Sequence, residues 1–462
     1  MHNQSVFQDI LPSERILTSP REVAPYSQDW TRDFSGDASV VLFPKTTEEV
    51  QAIVLRAREA KISLIPSGGR TGLCGGATAT KREAIVSLEK MNTILSIEPT
   101  EQTVQCQAGV ITQQLHDALA EHQLSFPIRL ASQGSSQIGG NVSTNAGGIH
   151  VMKYGTTRQW VLGLTVVTGE GTILRTGKKL YKDQTGYDLR ALFVGAEGTL
   201  GIITELTLAV TTLPHDFTRV LCAAESLTDL LSILRTTRSE IPDLSAFEFF
   251  SEEALSLVLQ HHPHQRPFTQ AFPYYGLIEL EKETASALDE LEPVLAPLLE
   301  SGIMKDAVVS QSTQQANEFL ELRELVGETL SSHYQPHKND LSVPVAAVEE
   351  FITEANTFFQ RDYPLFSPIY FGHLGDGNIH LNIPRPKELE ASEFFTLAHK
   401  ADEEIFQILT RLGGSISAEH GIGLLKKDYL HFSRSEEELA YMRALKGVFD
   451  PDNIMNPGKI FN

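Results

Sequence analysis

Cysteine is scarce in this 462-residue chain: Cys74, Cys106 and Cys222 stand far apart, with no C-x-x-C pair. So few thiols build neither a disulfide framework nor an iron–sulfur ligand set, and a reducing, cytoplasmic compartment is the expectation. Positive charge is also short. Lys and Arg total 38 against 59 Asp and Glu, a formal charge of −21. Binding to phosphate backbones or anionic membrane surfaces depends on clustered Lys and Arg, so a nucleic-acid partner is disfavoured. Long apolar runs are missing as well. No stretch approaches the roughly 20 residues a membrane helix needs, and Met1–Leu11 lacks a basic segment followed by an apolar core. A soluble, untargeted protein with no integral membrane segment is expected, long enough for more than one domain.

What the chain has in excess is clustered glycine. Fourteen of its 33 glycines fall between Gly134 and Gly201, and five more between Gly68 and Gly76. Such density points to backbone packed closely against something, because glycine alone combines positive φ with near approach. Around these clusters helix and strand signals alternate. Thr46 or Thr47 can cap a helix over 47–60 whose Val50, Ile53, Val54 and Ala57 share one face. Strands are predicted at Ile62–Ile65, Glu83–Leu88 and Thr103–Gln107, and a helix at Ile111–Glu121. Beyond a boundary near Leu213–Pro214 the elements lengthen: helices over Leu227–Thr237, Thr284–Leu299 and about 392–412, and a strand at Tyr275–Leu280. The fold class read from this is α+β. Its expected domains are 1–212, 213–415 and a C-terminal segment 416–462.

The first glycine loop, Pro66-Ser67-Gly68-Gly69-Arg70-Thr71-Gly72-Leu73-Cys74-Gly75-Gly76, follows a strand. It lacks G-x-G-x-x-G spacing and leads to another strand, which disfavours a Rossmann site. A backbone nest whose N–H groups surround a pyrophosphate remains, with a plain irregular turn as the alternative. Gly171 to Lys179 superficially suggests a phosphate-binding P-loop, but its spacing is one residue too long and Lys-Lys replaces Lys-Ser/Thr. It reads as a hairpin. The second cluster interleaves small residues with amides and hydroxyls: Ser135, Ser136, Gly139, Gly140, Asn141, Thr144, Asn145, Gly147 and Gly148, then Tyr154-Gly155, then Glu197, Gly198 and Gly201. That composition suits a large, flat ligand held by its ring edges and phosphates.

Two motifs in the second half suggest chemistry. His373-Leu374-Gly375-Asp376-Gly377-Asn378-Ile379-His380 places a histidine either side of a glycine-rich turn between two plausible strands, so a hairpin would bring them together. Period-2 alternation puts His380 and Asn382 on one face. Two imidazoles and a carboxylate suit a catalytic zinc-type site; two structural histidines are the alternative. In Ser417-Ala418-Glu419-His420-Gly421-Ile422-Gly423 a possible ligand and a possible base are adjacent, which requires irregular backbone because neighbours in a strand point to opposite faces. His261-His262-Pro263-His264, with its proline and polar neighbours, reads as a loop without a role.

From about residue 38 to the C-terminus these motifs resemble the FAD-dependent D-2-hydroxyacid dehydrogenases of the vanillyl-alcohol oxidase/p-cresol methylhydroxylase superfamily, most closely bacterial D-2-hydroxyglutarate dehydrogenases. The resemblance implies a flavin site built from the glycine-loop residues above together with Ile202 and Asn456. It implies non-covalent FAD, because covalent members carry a histidine where Arg70 stands. It implies a divalent metal, zinc, on His373, His380 and Glu419, with His420 as catalytic base. Leu322-Arg323-Glu324 and His337-Lys338-Asn339-Asp340 match segments that contribute an Arg and a Lys to carboxylate binding, so Arg323, Lys338, Asn382 and His420 are the implied substrate contacts. Gly327 departs from the pattern, because dicarboxylate enzymes tend to have a hydroxyl residue there.

The implied reaction is hydride transfer from C2 of a D-2-hydroxyacid to flavin N5. D-2-hydroxyglutarate ranks ahead of D-lactate as substrate. Electrons would pass to an external acceptor such as electron-transfer flavoprotein, a cytochrome or quinone, and a homodimer is compatible with the chain. A non-catalytic FAD-binding subunit of a glycolate-oxidase-like complex is the alternative of another class.

Overall fold

The computed structural model describes residues 6–31, 33–214, 216–282 and 284–461; residues 1–5 of the N-terminal segment read above lie outside them. The chain divides into two compact units. Unit 1 comprises Met1–Gly148, Gly155–Leu213 and Glu419–Asn462, and unit 2 comprises Ile149–Tyr154 and Pro214–Ala418. The architecture is α+β, as the alternating signals imply.

Unit 1 holds two sheets. In the smaller, strands Ile16–Leu17, Val40–Leu42, Ala84–Ser87 and Leu64–Ser67 lie in that order, the last three parallel. The helix Thr47–Ala60 connects two of them, its N-terminus capped by Thr46, whose hydroxyl accepts from the Glu49 N–H. Val50, Ile53, Val54 and Ala57 are buried as their spacing requires. The next strand starts at Leu64, two residues later than predicted. Lys61 adopts φ +54 at the helix C-terminus and Ile62 N–H still donates to Ala57, so Ile62 ends the helix rather than opening the strand. The larger sheet is antiparallel, in the order Ile94–Glu98, Thr103–Gln107, Gly201–Ala209, Val161–Thr168, Ile173–Gly177. Gly171 lies in the turn of its last hairpin, so the P-loop lookalike is the hairpin that its spacing suggested. The C-terminal tail belongs to the same core: Leu64 N–H donates to Ile454 O, Asn456 N–H to Leu64 O, and Met455 is fully buried.

Unit 2 is a seven-stranded antiparallel sheet in the order Asp306–Val309, Thr218–Ala224, Tyr274–Leu280, Leu244–Ser251, Ile369–His373, Asn378–Ile383, His337–Ser342. One face packs Leu221, Phe250, Tyr275, Leu277 and Phe371 against Leu255 and Val258 of the helix Glu252–His261 and Phe319, Leu322 and Val326 of the helix Thr313–His333. The other face carries Cys222 and Phe247, beside Leu230 of the helix Leu227–Glu240. All three cysteines are buried and none forms a disulfide.

Candidate functional site

The two glycine clusters meet within unit 1. A Cβ on Gly69 would fall 2.1 Å from Ser135 O, so the loops touch backbone to backbone, a contact only glycine allows. The second cluster then forms a short helix, Ile138–Thr144, whose third residue, Gly140, would carry a Cβ into open space. Glycine inside a helix costs about 1 kcal/mol relative to alanine, and no protein atom here demands it. The open side of Gly140 leaves its backbone accessible to a ligand. Among the seven buried polar atoms without a protein partner in the described residues of this unit, Ser67 Oγ, Gln137 Oε1 and Asn456 Oδ1 belong to the glycine-loop segments and the C-terminal tail that meets them. The Ser67 hydroxyl can donate to a phosphate and the two amide oxygens can accept from a flavin N–H or ribityl O–H, so the residues present fit the cofactor. Arg70 holds φ +57 and lies over the Tyr26 ring at 4.5 Å.

Several implied cofactor residues have side chains engaged elsewhere. Asn141 donates to Thr112 Oγ1 at 2.8 Å, the hydroxyl of Ser136 lies 2.8 Å from that of Thr112, and Asn145 ends the short helix at φ +51 while accepting from Arg158 N–H. Glu197 is fully committed: its two oxygens accept from Ile422 N–H at 2.7 Å and Gly423 N–H at 2.8 Å. Burial pushes its carboxyl up against the pull of those two donors. Asn456 donates to Gly76 O and Glu197 O. Tyr154 falls in unit 2, where its hydroxyl donates to Glu281 at 2.5 Å.

The segment after Ala418 has the irregular backbone that adjacent functional side chains require. Gly421 and Gly423 have φ +83 and +52, and a Cβ on Gly423 would collide with Cys74 O at 2.1 Å. Cys74 O accepts from Leu424 N–H, and the Cys74 thiol donates to Gly421 O. Glu419 and His420 thus precede a segment fastened within unit 1. Ala418, the last residue of unit 2, donates its N–H to Asp340 O at 3.4 Å.

In unit 2 the histidine motif forms the expected hairpin, and the His373 and His380 rings approach to 5.4 Å between centroids at 77°. Cross-strand partners share a face, so the pairs Phe371↔His380, Asp340↔His380 and Lys338↔Asn382 align Lys338, Asp340, His373, His380 and Asn382 on one side. Lys338 Nζ donates to Ser331 Oγ at 2.6 Å, and His380 Nδ1 lies 3.6 Å from Asp340. Arg323 is buried beside them, projecting from the helix Thr313–His333. Gly327, one turn on, would carry a Cβ no closer than 3.9 Å to Phe371.

Sequence reasoning gave no role to Glu248, which links two of these residues. Its Oε1 lies 2.7 Å from His373 Nδ1 and its Oε2 2.7 Å from Arg323 Nε, a charge contact whose N–H is not aligned for a hydrogen bond. Burial raises the Glu248 carboxyl, but the imidazole and guanidinium outweigh it and hold the group below its ordinary range. A glutamate inside the run Ala246-Phe247-Glu248-Phe249-Phe250 was the available signal: a charge in a buried strand requires a partner. Along the same face Glu279 is bridged by Arg219 at 2.7 Å and His150 at 2.6 Å. A separate convergence, His337, His399 and Asp402, is already satisfied: Asp402 accepts from His337 and from Asn339.

Residues 213–460 match the model of the FAD-linked oxidase C-terminal domain, and residues 38–177 that of an FAD-binding domain. The chain is similar to a D-2-hydroxyglutarate dehydrogenase of Stutzerimonas stutzeri (strain A1501), 44% identical over 97% of this chain and 96% of that relative. It is similar to one of Xanthomonas citri pv. viticola at 42% over 98% and 96%. A mitochondrial D-2-hydroxyglutarate dehydrogenase of Bos taurus is 36% identical over 96% of this chain and 81% of that relative. Among solved structures, p-cresol methylhydroxylase with substrate bound superposes with TM-score 0.76 at 17% identity, covering 99% of this chain and 96% of that one. Alkyldihydroxyacetonephosphate synthase does so with TM-score 0.76 at 17% identity, over 98% and 84%. At such identities these two speak for the fold alone. No helix among the described residues is long and apolar enough to cross a membrane.

Proposed function

The chain belongs to the FAD-linked oxidase family and is an FAD-dependent dehydrogenase, and from that premise we propose that it oxidises D-2-hydroxyglutarate at C2 to 2-oxoglutarate. The observation that carries the substrate is the likeness, along nearly the whole chain, to two bacterial relatives named for it.

When bound, FAD supplies the acceptor for the C2 hydride, and a divalent cation, zinc by its donor set, supplies a Lewis acid toward the 2-hydroxyl oxygen. The chain's residues do the rest. His373, His380 and Glu419 are the proposed metal ligands, supported by the approach of the two imidazoles in unit 2 and by the lone pair that Glu248 leaves on His373. Arg323 and Lys338 hold the two carboxylates, one as a planar fork and one as a point charge. Asn382, directly across from Lys338, orients the bound acid. His420 takes the hydroxyl proton, so that the C2 hydride leaves an alkoxide-like centre. Arg70 at the position of the flavin-linking histidine supports non-covalent FAD. Electrons leave to a separate carrier, an electron-transfer flavoprotein, cytochrome or quinone, in the cytoplasm.

Dye-coupled kinetics across D- and L-2-hydroxyglutarate and D-lactate, with and without added zinc, test this. The highest kcat/KM is expected for D-2-hydroxyglutarate, with activity lost on exhaustive chelation. Equal rates on both enantiomers, or a preference for D-lactate, would overturn the substrate. Unchanged turnover in His420→Ala would remove His420 as the base, and FAD-loaded wild type that turned over no 2-hydroxyacid would leave a flavin-binding subunit as the better reading.

A further inference from the structure

The contacts of His373 determine where its proton sits. A carboxylate is acceptor-only, so the 2.7 Å contact of Glu248 Oε1 with Nδ1 requires hydrogen on Nδ1. A guanidinium is donor-only, so Arg323 Nη2, 3.4 Å from Nε2, requires a lone pair there. The two neighbours agree, although they approach opposite sides of the ring: the imidazole is the Nδ1–H tautomer with Nε2 as its basic atom. Both residues belong to unit 2 and both are buried.

We propose that Glu248 is the positioning residue of this site: it fixes the tautomer and direction of His373 so that the Nε2 lone pair, which here faces Arg323 Nη2, is the one a divalent cation would take, and with its other oxygen it anchors Arg323 in the same site. The inference rests on the metal reading above and extends it to a residue outside the ligand set. One carboxylate thereby couples the two groups that meet the substrate's C1 end, the metal ligand and the carboxylate-binding cation. Its separate oxygens make the coupling specific. Oε1 orients the imidazole and Oε2 neutralises and directs the guanidinium, so an amide in its place serves one partner and opposes the other. In Glu248→Gln the amide oxygen can still accept from Nδ1–H, but a neutral NH2 then lies against the guanidinium at Nε in place of the carboxylate charge. The ring or the arginine must shift.

Glu279 is the internal control. It lies on the same face of the same sheet, buried, with its own arginine and histidine, Arg219 and His150, and it touches neither His373 nor Arg323. A purely structural account of such clusters predicts similar consequences for Glu248→Gln and Glu279→Gln.

The experiment is competition of full-length, FAD-loaded protein with a chromogenic chelator for zinc, alongside the flavin spectrum and thermal midpoint. Wild type is expected to bind one zinc tightly. Glu248→Gln is expected to bind it roughly 10–100-fold more weakly, the usual cost of removing a carboxylate behind a ligating histidine. Glu279→Gln is expected to keep wild-type zinc affinity. Glu248→Asp, which restores the charge at a shorter reach, is expected to fall between wild type and Glu248→Gln, and it carries the test if the amide variant does not fold. Wild-type zinc affinity in the Glu248 variants would overturn the inference while leaving the metal reading intact, and so would an equal loss in Glu279→Gln. A wild-type protein that binds no zinc would overturn both.

Discussion

Nε2 of His337 lies 2.9 and 3.0 Å from the two carboxylate oxygens of Asp402, and both side chains are buried. Asp402 sits on the buried stripe of the helix Ala391–Arg411, among Phe394, Ala398, Ile405 and Phe406, where an unpaired charge could not persist. The pair fastens that helix to the edge strand that carries Lys338 and Asp340. Asp402→Ala should therefore destabilise the protein by about 3–5 kcal/mol, because it leaves the imidazole without its partner. Replacing both residues by leucine should recover much of that loss, as read by urea unfolding. Acid should act the same way. Burial raises the Asp402 carboxyl, but His337, His399 and Asn339 outweigh it and bring the group from 3.8 to about 2. Its folded value is depressed, so its stabilisation is present above pH 3.8 and lost as pH falls toward 2, a change of about 2 kcal/mol. A pH dependence in that window that is the same in wild type and Asp402→Asn would refute the assignment.

Lys338 offers a clean test of the dicarboxylate. Lys338→Met keeps the apolar stem and removes the charge, and one charge-assisted contact is worth about 1.5–3 kcal/mol. KM for D-2-hydroxyglutarate should rise roughly 10–100-fold, with kcat less affected. KM for D-lactate, which has no second carboxylate, should stay within about twofold. Equal effects on the two substrates would show that Lys338 serves the shared carboxylate or the fold.

Gly327 can be repaired. A Cβ there meets nothing nearer than Phe371 at 3.9 Å, so Gly327→Ser should fit. Relief of a mid-helix glycine should add a few tenths of a kcal/mol of stability. If a hydroxyl at this position serves the substrate carboxylate, KM for D-2-hydroxyglutarate should also fall by about threefold to tenfold, the worth of one hydrogen bond. A gain in stability without a change in KM would mean that the hydroxyl is not part of this enzyme's substrate site.

Gly140 tests the flavin groove independently of catalysis. Gly140→Leu should fold, because open space surrounds the position, but flavin content should fall several-fold by absorbance and fluorescence. Acid precipitation of wild type should release all the flavin to the supernatant, since Arg70 offers no covalent link. Full flavin occupancy in Gly140→Leu would place the cofactor elsewhere.

Much of this was legible in consecutive residues. Helix 47–60 follows from its cap and apolar spacing, the histidine hairpin from its glycine turn, and the irregular backbone after Glu419 from Gly421 and Gly423. The strand begins at Leu64 and not at Ile62, because a left-handed turn at Lys61 is decided by the helix end and not by the apolar residues that follow it.

Partner choice was the part that no local pattern could supply. Glu248 lies 125 positions from His373, and Glu197 lies 225 from Ile422. The alternation of Ala246-Phe247-Glu248-Phe249-Phe250 determines that Glu248 shares a face with Phe250. Only the order of strands in the sheet determines that Ile369–His373 is its neighbour, and only register sets it opposite His373 rather than one residue away. The chain by itself thus determined the glycine loops and the histidine hairpin, because turns and caps act through short-range geometry, and through its resemblance to a family it implied the cofactor and the candidate side chains. The tertiary structure alone decided which buried carboxylate answers which cation, because that depends on pairing between strands far apart in sequence.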